Sequence, residues 1–202
     1  MFLRTETDAQ LVAKARKGEV EAFNHLISRW EKRLYNYLLR LLANREDSLD
    51  VCQEAFLKAY RSLGALDSPE KFPQWLFRIA HNMAFSHLRR STVVEETEYR
   101  EADDWEDAPA KPYVLADSGG PRRTLHGVEL ELTVAKALEA LSPDQRETIV
   151  LKVYHGFQFA EIAEILGCPL STVKSRLYTG LSQLKDILTA APPARAALNQ
   201  RR

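Results

Sequence analysis

Residues 72–90 read FPQWLFRIAHNMAFSHLRR, and the fold turns on how this stretch is read. Pro73 suits the opening of a helix, because the first helical N–H has no partner to lose. At 100° per residue, Trp75, Leu76, Ile79, Ala80 and Met83 fall on one side, and that side needs a core. A second stripe carries Arg78, Asn82, Phe85 and Arg89. Cations, an amide and a ring in one line suit single-stranded nucleic acid: charge for phosphates, a ring for stacking, an amide for a base edge. The same stripe also fits a bundle helix whose arginines snorkel at its rim. The pattern alone leaves Phe85 on neither side.

The sequence upstream supplies partners for the apolar side. Thr7-Asp8-Ala9-Gln10 has capping-box spacing and predicts a helix from about Asp8 to Gly18. A second helix is expected from Glu19 to Leu42, with Phe23, Leu26, Ile27, Trp30, Leu34, Tyr37, Leu38 and Leu41 at helical spacing. Residues 44–47 are polar and read as a turn. A third helix is expected from Ser48 to Leu63, with Val51, Ala55, Phe56, Ala59, Tyr60 and Leu63 toward the core and Gly64 at its end. A loop over 64–72 leads into the opening helix. Four helices on short connections predict a compact bundle over residues 1–90.

Residues 91–127 change character. They show no sustained period and contain three prolines and a Gly-Gly pair. Between Glu95 and Asp107 stand eight carboxylates and one arginine. This composition predicts an acidic, flexible linker, with solubility as the plain alternative to a function for its charge.

A second helical domain is expected over 128–190, beginning with a helix from Val128 to Leu141. Ser142-Pro143-Asp144-Gln145 is another capping box and opens a helix through His155. Phe159 to Leu166 is a short helix, and Gly167-Cys168-Pro169 turns. A last helix, capped by Ser171, runs to Leu188 with Val173, Leu177, Leu181, Leu184 and Leu188 inward. Residues 191–202 read as a frayed tail. The fold class is all-α, two small helical domains joined by a linker.

Short helix, glycine turn and second amphipathic helix form a helix-turn-helix pattern. In such a pair the second helix enters the major groove. Opposite Val173 and Leu177 stand Ser171, Thr172, Ser175, Tyr178 and Thr179, flanked by Lys174 and Arg176. Hydroxyls and lysine can read base edges, and the flanking cations suit phosphates. A plain helical hairpin is the other reading. On the third helix Asp50, Gln53 and Glu54 lie beside exposed aliphatics, which fits either a docking face or a solvated one.

Formal net charge is zero, but it sums unlike segments. Residues 1–90 hold 15 lysines and arginines against 11 carboxylates, residues 91–127 hold 4 against 9, and residues 128–202 hold 9 against 8. Binding depends on the local balance. Cys52 and Cys168 are far apart, so a reduced cytoplasmic chain is expected rather than a disulfide framework. No apolar run approaches a membrane span, and the first residues lack the apolar core of a signal peptide. Phosphate-loop, nucleophile-elbow and zinc-protease motifs are absent, and the five histidines are scattered. No catalytic residue, metal site or cofactor is expected.

Taken together, these residues resemble the extracytoplasmic-function (ECF, group IV) sigma factors of bacterial RNA polymerase. The resemblance spans residues 8–188. DAQLVAKARKGEVEAFNHLISRW, then Asp50, Gln53, Glu54, Phe56 and Tyr60 in DSLDVCQEAFLKAYRSL, then the 72–90 helix resemble sigma region 2. Residues 141–151 and 161–177 resemble region 4, with its E-I-A-x-x-L-G-x-P-x-x-T-V-K-S-R-L run.

The resemblance implies roles. Asp50, Gln53, Glu54, Phe56 and Leu57 would dock core polymerase at the β′ clamp helices, with the β flap as a second contact. Asn82 with Ser68, Lys71 and Phe72 would capture a flipped base of the melted −10 element, with Arg78, Arg89 and Arg90 on phosphates. Ser171, Thr172, Lys174, Ser175, Arg176, Tyr178 and Thr179 would hold the −35 element. Many relatives carry arginine at the position of Thr179, so a weaker contact is expected there. The implied partners are core polymerase, promoter DNA and an anti-sigma factor, the last membrane-linked. No small-molecule substrate is implied, and the free chain should be a monomer. A stand-alone helix-turn-helix regulator is the alternative, and it would need a dimer seam that the sequence does not show.

Overall fold

A computed structural model describes residues 6–98 and 133–190, with side chains over 6–90 and 133–189. Helix α1 spans Asp8–Ala15 and opens on the expected capping box, in which Thr7 Oγ1 accepts from the Gln10 amide and Gln10 Oε1 from the Thr7 amide. Helix α2 spans Val20–Leu42, and α3 spans Arg45–Arg61. The expected turn over 44–47 is corrected: Asn44 caps α3, its Oδ1 accepting from the amides of Glu46 at 2.9 Å and Asp47 at 3.3 Å. Glu46 and Asp47 form an acidic first turn, where the helix dipole favours them. Two 3₁₀ turns, Leu63–Ala65 and Pro69–Lys71, shape the following connection.

Helix α4 spans Phe72–Glu98. It passes the expected boundary at Arg90, so the first eight residues assigned to the linker are helical. The rest of that linker, residues 128–132 and the tail over 191–202 lie outside the described residues. Leu76, Phe77, Ile79, Ala80 and Ala84 are buried on α4, while Trp75 and Met83 are only half-buried. Phe77, which the periodicity left off the core side, makes edge contacts with Trp30 at 6.3 Å and tilted contacts with Tyr37 at 5.1 Å. On α3, Tyr60 is exposed rather than inward.

In the second unit α5 covers residues 133–139. Helix α6 spans Pro143–Ile149 and widens into a π turn over Val150–Tyr154. There the His155 amide donates to the Val150 carbonyl at 3.3 Å. Helix α7 spans Phe159–Leu166 and α8 spans Leu170–Ala190. Ser171 is therefore the second residue of α8 and not its cap. Val173 and Leu177 are buried as expected, but Leu181 and Leu188 are exposed. Gly180 takes the inward place instead. A Cβ there would stand 2.9 Å from Ile149 Cδ1, so glycine permits the close approach of α8 to α6.

The two units are not separate bodies on a tether. α4 packs against α7, and α2 packs against α6 and its π turn. One apolar cluster runs from Leu11 and Leu38 through Phe77 and Ala84 into Val150, Leu151, Phe157, Ile162, Ile165 and Val173. Polar side chains cross the same seam. Glu147 of α6 is 1% exposed, accepts a hydrogen bond from the Tyr37 hydroxyl and lies 2.7 Å from His81 Nδ1 through the same carboxylate oxygen. Arg33 donates to the His155 carbonyl at 3.0 Å, and the Arg40 guanidinium sits 4.1 Å over the Tyr154 ring. Burial, and then the Glu147 charge and hydrogen bond, push the Tyr37 hydroxyl well above its ordinary pKa.

Candidate nucleic-acid interface

The exposed stripe of α4 forms as expected in part. Arg78, Asn82, Arg89 and Arg90 are exposed. Phe85 is half-buried, packs on the core and sets its ring 4.7 Å from His81, so it belongs to the structural side. Arg89 and Arg90 lean back on Ser86, through its hydroxyl at 3.4 Å and its carbonyl at 3.2 Å.

Arg78 joins a pocket of about 320 Å³ lined by Leu66, Asp67, Ser68, Lys71, Gln74 and Trp75. Its floor is set from a distance. Arg16, at the end of α1, donates through Nε to the Leu63 carbonyl at 3.1 Å and through Nη2 to that of Leu66. These bonds hold two carbonyls of a connection that has no helix to satisfy them. Arg16 carried no local signal of this role. Ser68 and Lys71 stand where a base-capturing loop needs them. Phe72 does not: it is 0% exposed and anchors the start of α4. Trp75, assigned to the core from its periodicity, is the aromatic residue that faces the pocket, 6.2 Å from Phe72.

The pocket is closed by the second unit. Lys71 Nζ lies 2.8 and 3.1 Å from the two carboxylate oxygens of Glu164 on α7. Gln74 Nε2 donates to Glu161 Oε1 at 2.7 Å.

The α3 residues divide between two grooves. Asp50 and Glu54 face one of about 660 Å³ between α3 and α4, together with Lys58, Asn82 and Arg90. Gln53 and Leu57 face an apolar groove of about 710 Å³ between α2 and α3, bounded by Phe23, Ile27 and Tyr60. Leu57 is 55% exposed, an apolar side chain presented to solvent. Phe56 is only 7% exposed and supports the groove from beneath rather than offering a contact of its own. Cys52 lines the same groove, and burial followed by the nearby Glu31 charge pushes its thiol up to about 12.

In the helix-turn-helix, Gly167 adopts φ 62°, the left-handed conformation that glycine takes without strain. The Cys168 amide closes the turn on the Ala163 carbonyl at 3.2 Å. Ile162, Ile165, Val173 and Leu177 are buried beneath it. Ser171, Lys174, Ser175, Tyr178 and Thr179 are exposed on the outer side of α8. Thr172 and Arg176 are half-buried. Arg176 is committed within the protein, its Nη2 2.6 Å from Asp144 Oδ2. Its reach to a phosphate therefore requires that bond to yield or to be shared.

No helix among the described residues is long and apolar enough to cross a membrane. Among them there is also no cluster of three or more histidine, cysteine or carboxylate side chains suited to a metal ion.

Comparison with known proteins agrees with this arrangement. The family pattern described as Sigma-70 region 2 matches residues 26–93, and that described as Sigma-70, region 4 matches residues 131–184. The RNA polymerase sigma-H factor of Pseudomonas aeruginosa is 33% identical over 185 residues, covering 88% of this chain and 91% of the relative. The ECF RNA polymerase sigma-E factor of Escherichia coli (strain K12) is 34% identical over 175 residues, covering 85% and 89%. Among solved structures, the sigma factor RpoE of Bartonella quintana, in complex with the anti-sigma factor NepR, superposes with a TM-score of 0.63 at 25% identity, covering 84% of this chain and 98% of that one. CnrH, in complex with the cytosolic domain of CnrY, gives 0.65 at 26% identity, covering 93% and 100%. These relatives are sigma factors and not enzymes. A stand-alone regulator would account for the helix-turn-helix but not for the region 2 bundle and its match. The chain belongs to the ECF sigma factors of the sigma-70 family, which direct promoter-specific transcription initiation by RNA polymerase.

Proposed function

We propose that this sigma factor opens promoters with the face of α4 and reads them upstream with α8. The observation that carries the first assignment is the rim of the 320 Å³ pocket. A cation, an amide, a serine hydroxyl and the Trp75 ring converge there, with the exposed Asn82 one turn beyond Arg78. An extruded base needs a stacking ring and polar groups for its edge, and its flanking phosphates need cations. Arg89 and Arg90 continue the cationic line. Phe72 contributes by fixing the helix start.

On α8, Lys174, Ser175 and Tyr178 would contact the −35 element, with Ser171, Thr172 and Thr179 beside them and Arg176 held ready by Asp144. The exposed side of α3 would meet core polymerase through Asp50, Glu54, Gln53 and Leu57, with Phe56 as their support. An anti-sigma factor would hold the chain inactive in the cytoplasm. Two modest DNA sites gain affinity together only when something fixes their separation, and polymerase would do so.

Light scattering and promoter gel shifts test the reading. The free chain should be a monomer and shift promoter DNA only when core polymerase is added. Tight binding of a palindromic site by a free dimer would overturn it.

A further inference from the structure

The buried side-chain polar atoms without a protein hydrogen-bond partner among the described residues are Gln74 Oε1, Glu147 Oε2 and both ring nitrogens of His155. All lie at the seam between the two units. The interior of the first bundle holds none. A buried polar atom without a partner forfeits the water it would regain on exposure. The seam thus combines apolar contacts that close it with polar atoms that favour parting.

What the seam covers is specific. Glu164 places its carboxylate on Lys71, and Glu161 places an oxygen on the Gln74 amide. Both acceptors sit at the mouth of the pocket, where a DNA strand would bring phosphate and base oxygens. The carboxylates of α7 occupy those donors in place of nucleic acid. The Lys71–Glu164 pair is half exposed, at 54% and 50% of its side-chain surface, so it is screened and easily exchanged. Farther along the seam, the buried Glu147 ties α6 to Tyr37 and His81.

We propose that α7 is an intramolecular latch over the pocket for the melted strand. Glu161 and Glu164 act as stand-ins for DNA, and Glu147 is the buried pin that keeps the units together. The latch rests on the pocket reading proposed above. Strand affinity of the free chain then equals the intrinsic affinity multiplied by the small fraction of open chain. Polymerase, by holding the two units apart, would unmask the pocket without touching it.

The test measures two quantities on the full-length chain. Spin labels at Arg61→Cys and Ser182→Cys, in a Cys168→Ser background, report the span between the units by pulsed electron resonance. Fluorescence anisotropy with short random-sequence single-stranded DNA reports strand binding. Glu164→Lys sets like charges face to face and should lengthen the span and tighten strand binding about fivefold. Glu147→Ala adds no cation beside the pocket, so an equal gain in that variant assigns the effect to opening. The exchange Lys71→Glu with Glu164→Lys should restore the short span. Far-UV circular dichroism checks that each variant is folded. A short span that neither variant lengthens, or a wild-type chain already broadly open, would overturn the latch. Longer spans without tighter strand binding would overturn the pocket reading and leave the seam as a hinge only.

Discussion

The two surfaces proposed to meet DNA are kept in opposite states. On α8 the side chains of Lys174, Ser175 and Tyr178 stand in solvent, Tyr178 at 63% exposure. Beneath α7 the pocket beside α4 is covered by Glu161 and Glu164. Duplex DNA in its ordinary form could approach the first surface as it stands. A single strand could enter the second only after the units part. The difference teaches that the surface needing unusual DNA, with bases out of the stack, is the one the chain keeps closed. Reading sequence and trapping melted strand become separable steps, and the seam lies between them.

The largest effect should come from breaking the seam at its centre. Phe77 is 0% exposed and meets Tyr37, His155 and Phe157 at ring distances of 5.0–5.1 Å. Phe77→Ala removes a buried aromatic that serves both units and should cost about 3–5 kcal/mol, read as a shift in the urea midpoint. Loss within the surface-mutation range would mean that the units scarcely share this ring.

A change of pH sharpens the comparison more gently. Burial, then Arg33 and Arg40, lower the His155 pKa from 6.5 to about 3. The ring is neutral in the closed chain and regains its ordinary pKa on exposure. Open or unfolded chains therefore bind more protons between those values, so closure is fully stable above about pH 6.5 and weakens as pH falls toward 3. From pH 7 to 5 the loss should be about 2 kcal/mol. Urea melts of wild type and His155→Phe at both pH values isolate it from the carboxylates: the variant should lose that share of the pH dependence. Equal pH dependence in the two proteins would contradict the assignment.

The smallest effect belongs to the open surface. Lys174 is exposed, its ammonium 5.9 Å from the Phe159 ring. Lys174→Ala should weaken holoenzyme binding to promoters with a −35 element by about threefold to tenfold, in line with one lost polar or phosphate contact, while the urea midpoint stays within about 0.5 kcal/mol. An unchanged affinity would take Lys174 out of the interface.

The helices were legible in the sequence because their signals are local. The boxes at Thr7 and Ser142 and the turn at Gly167 each sit within one helical turn of the boundary they set. Asn44 was misread for an instructive reason: a polar run looks like a turn, yet a capping amide followed by two carboxylates is also how a helix begins. Gly180 was a missed signal, since a glycine inside a helix asks for a close neighbour. Phe56 and Phe72 show what a motif does not carry. A family pattern names positions, and burial must be seen to decide whether a residue touches a partner or supports one that does. The seam had no local signal at all. Tyr37 and Glu147 are 110 positions apart, and a glutamate at helical spacing looks like any solvated charge until the second unit is in place.

Permanganate reactivity of promoter thymines tests the central claim most directly, that the exposed face of α4 traps the melted strand. Holoenzyme containing Asn82→Ala should assemble and bind promoter DNA as wild type does, because Asn82 is exposed and supports no packing. Its −10 thymines should lose most of their reactivity. Reactivity equal to wild type at equal promoter occupancy would contradict the account.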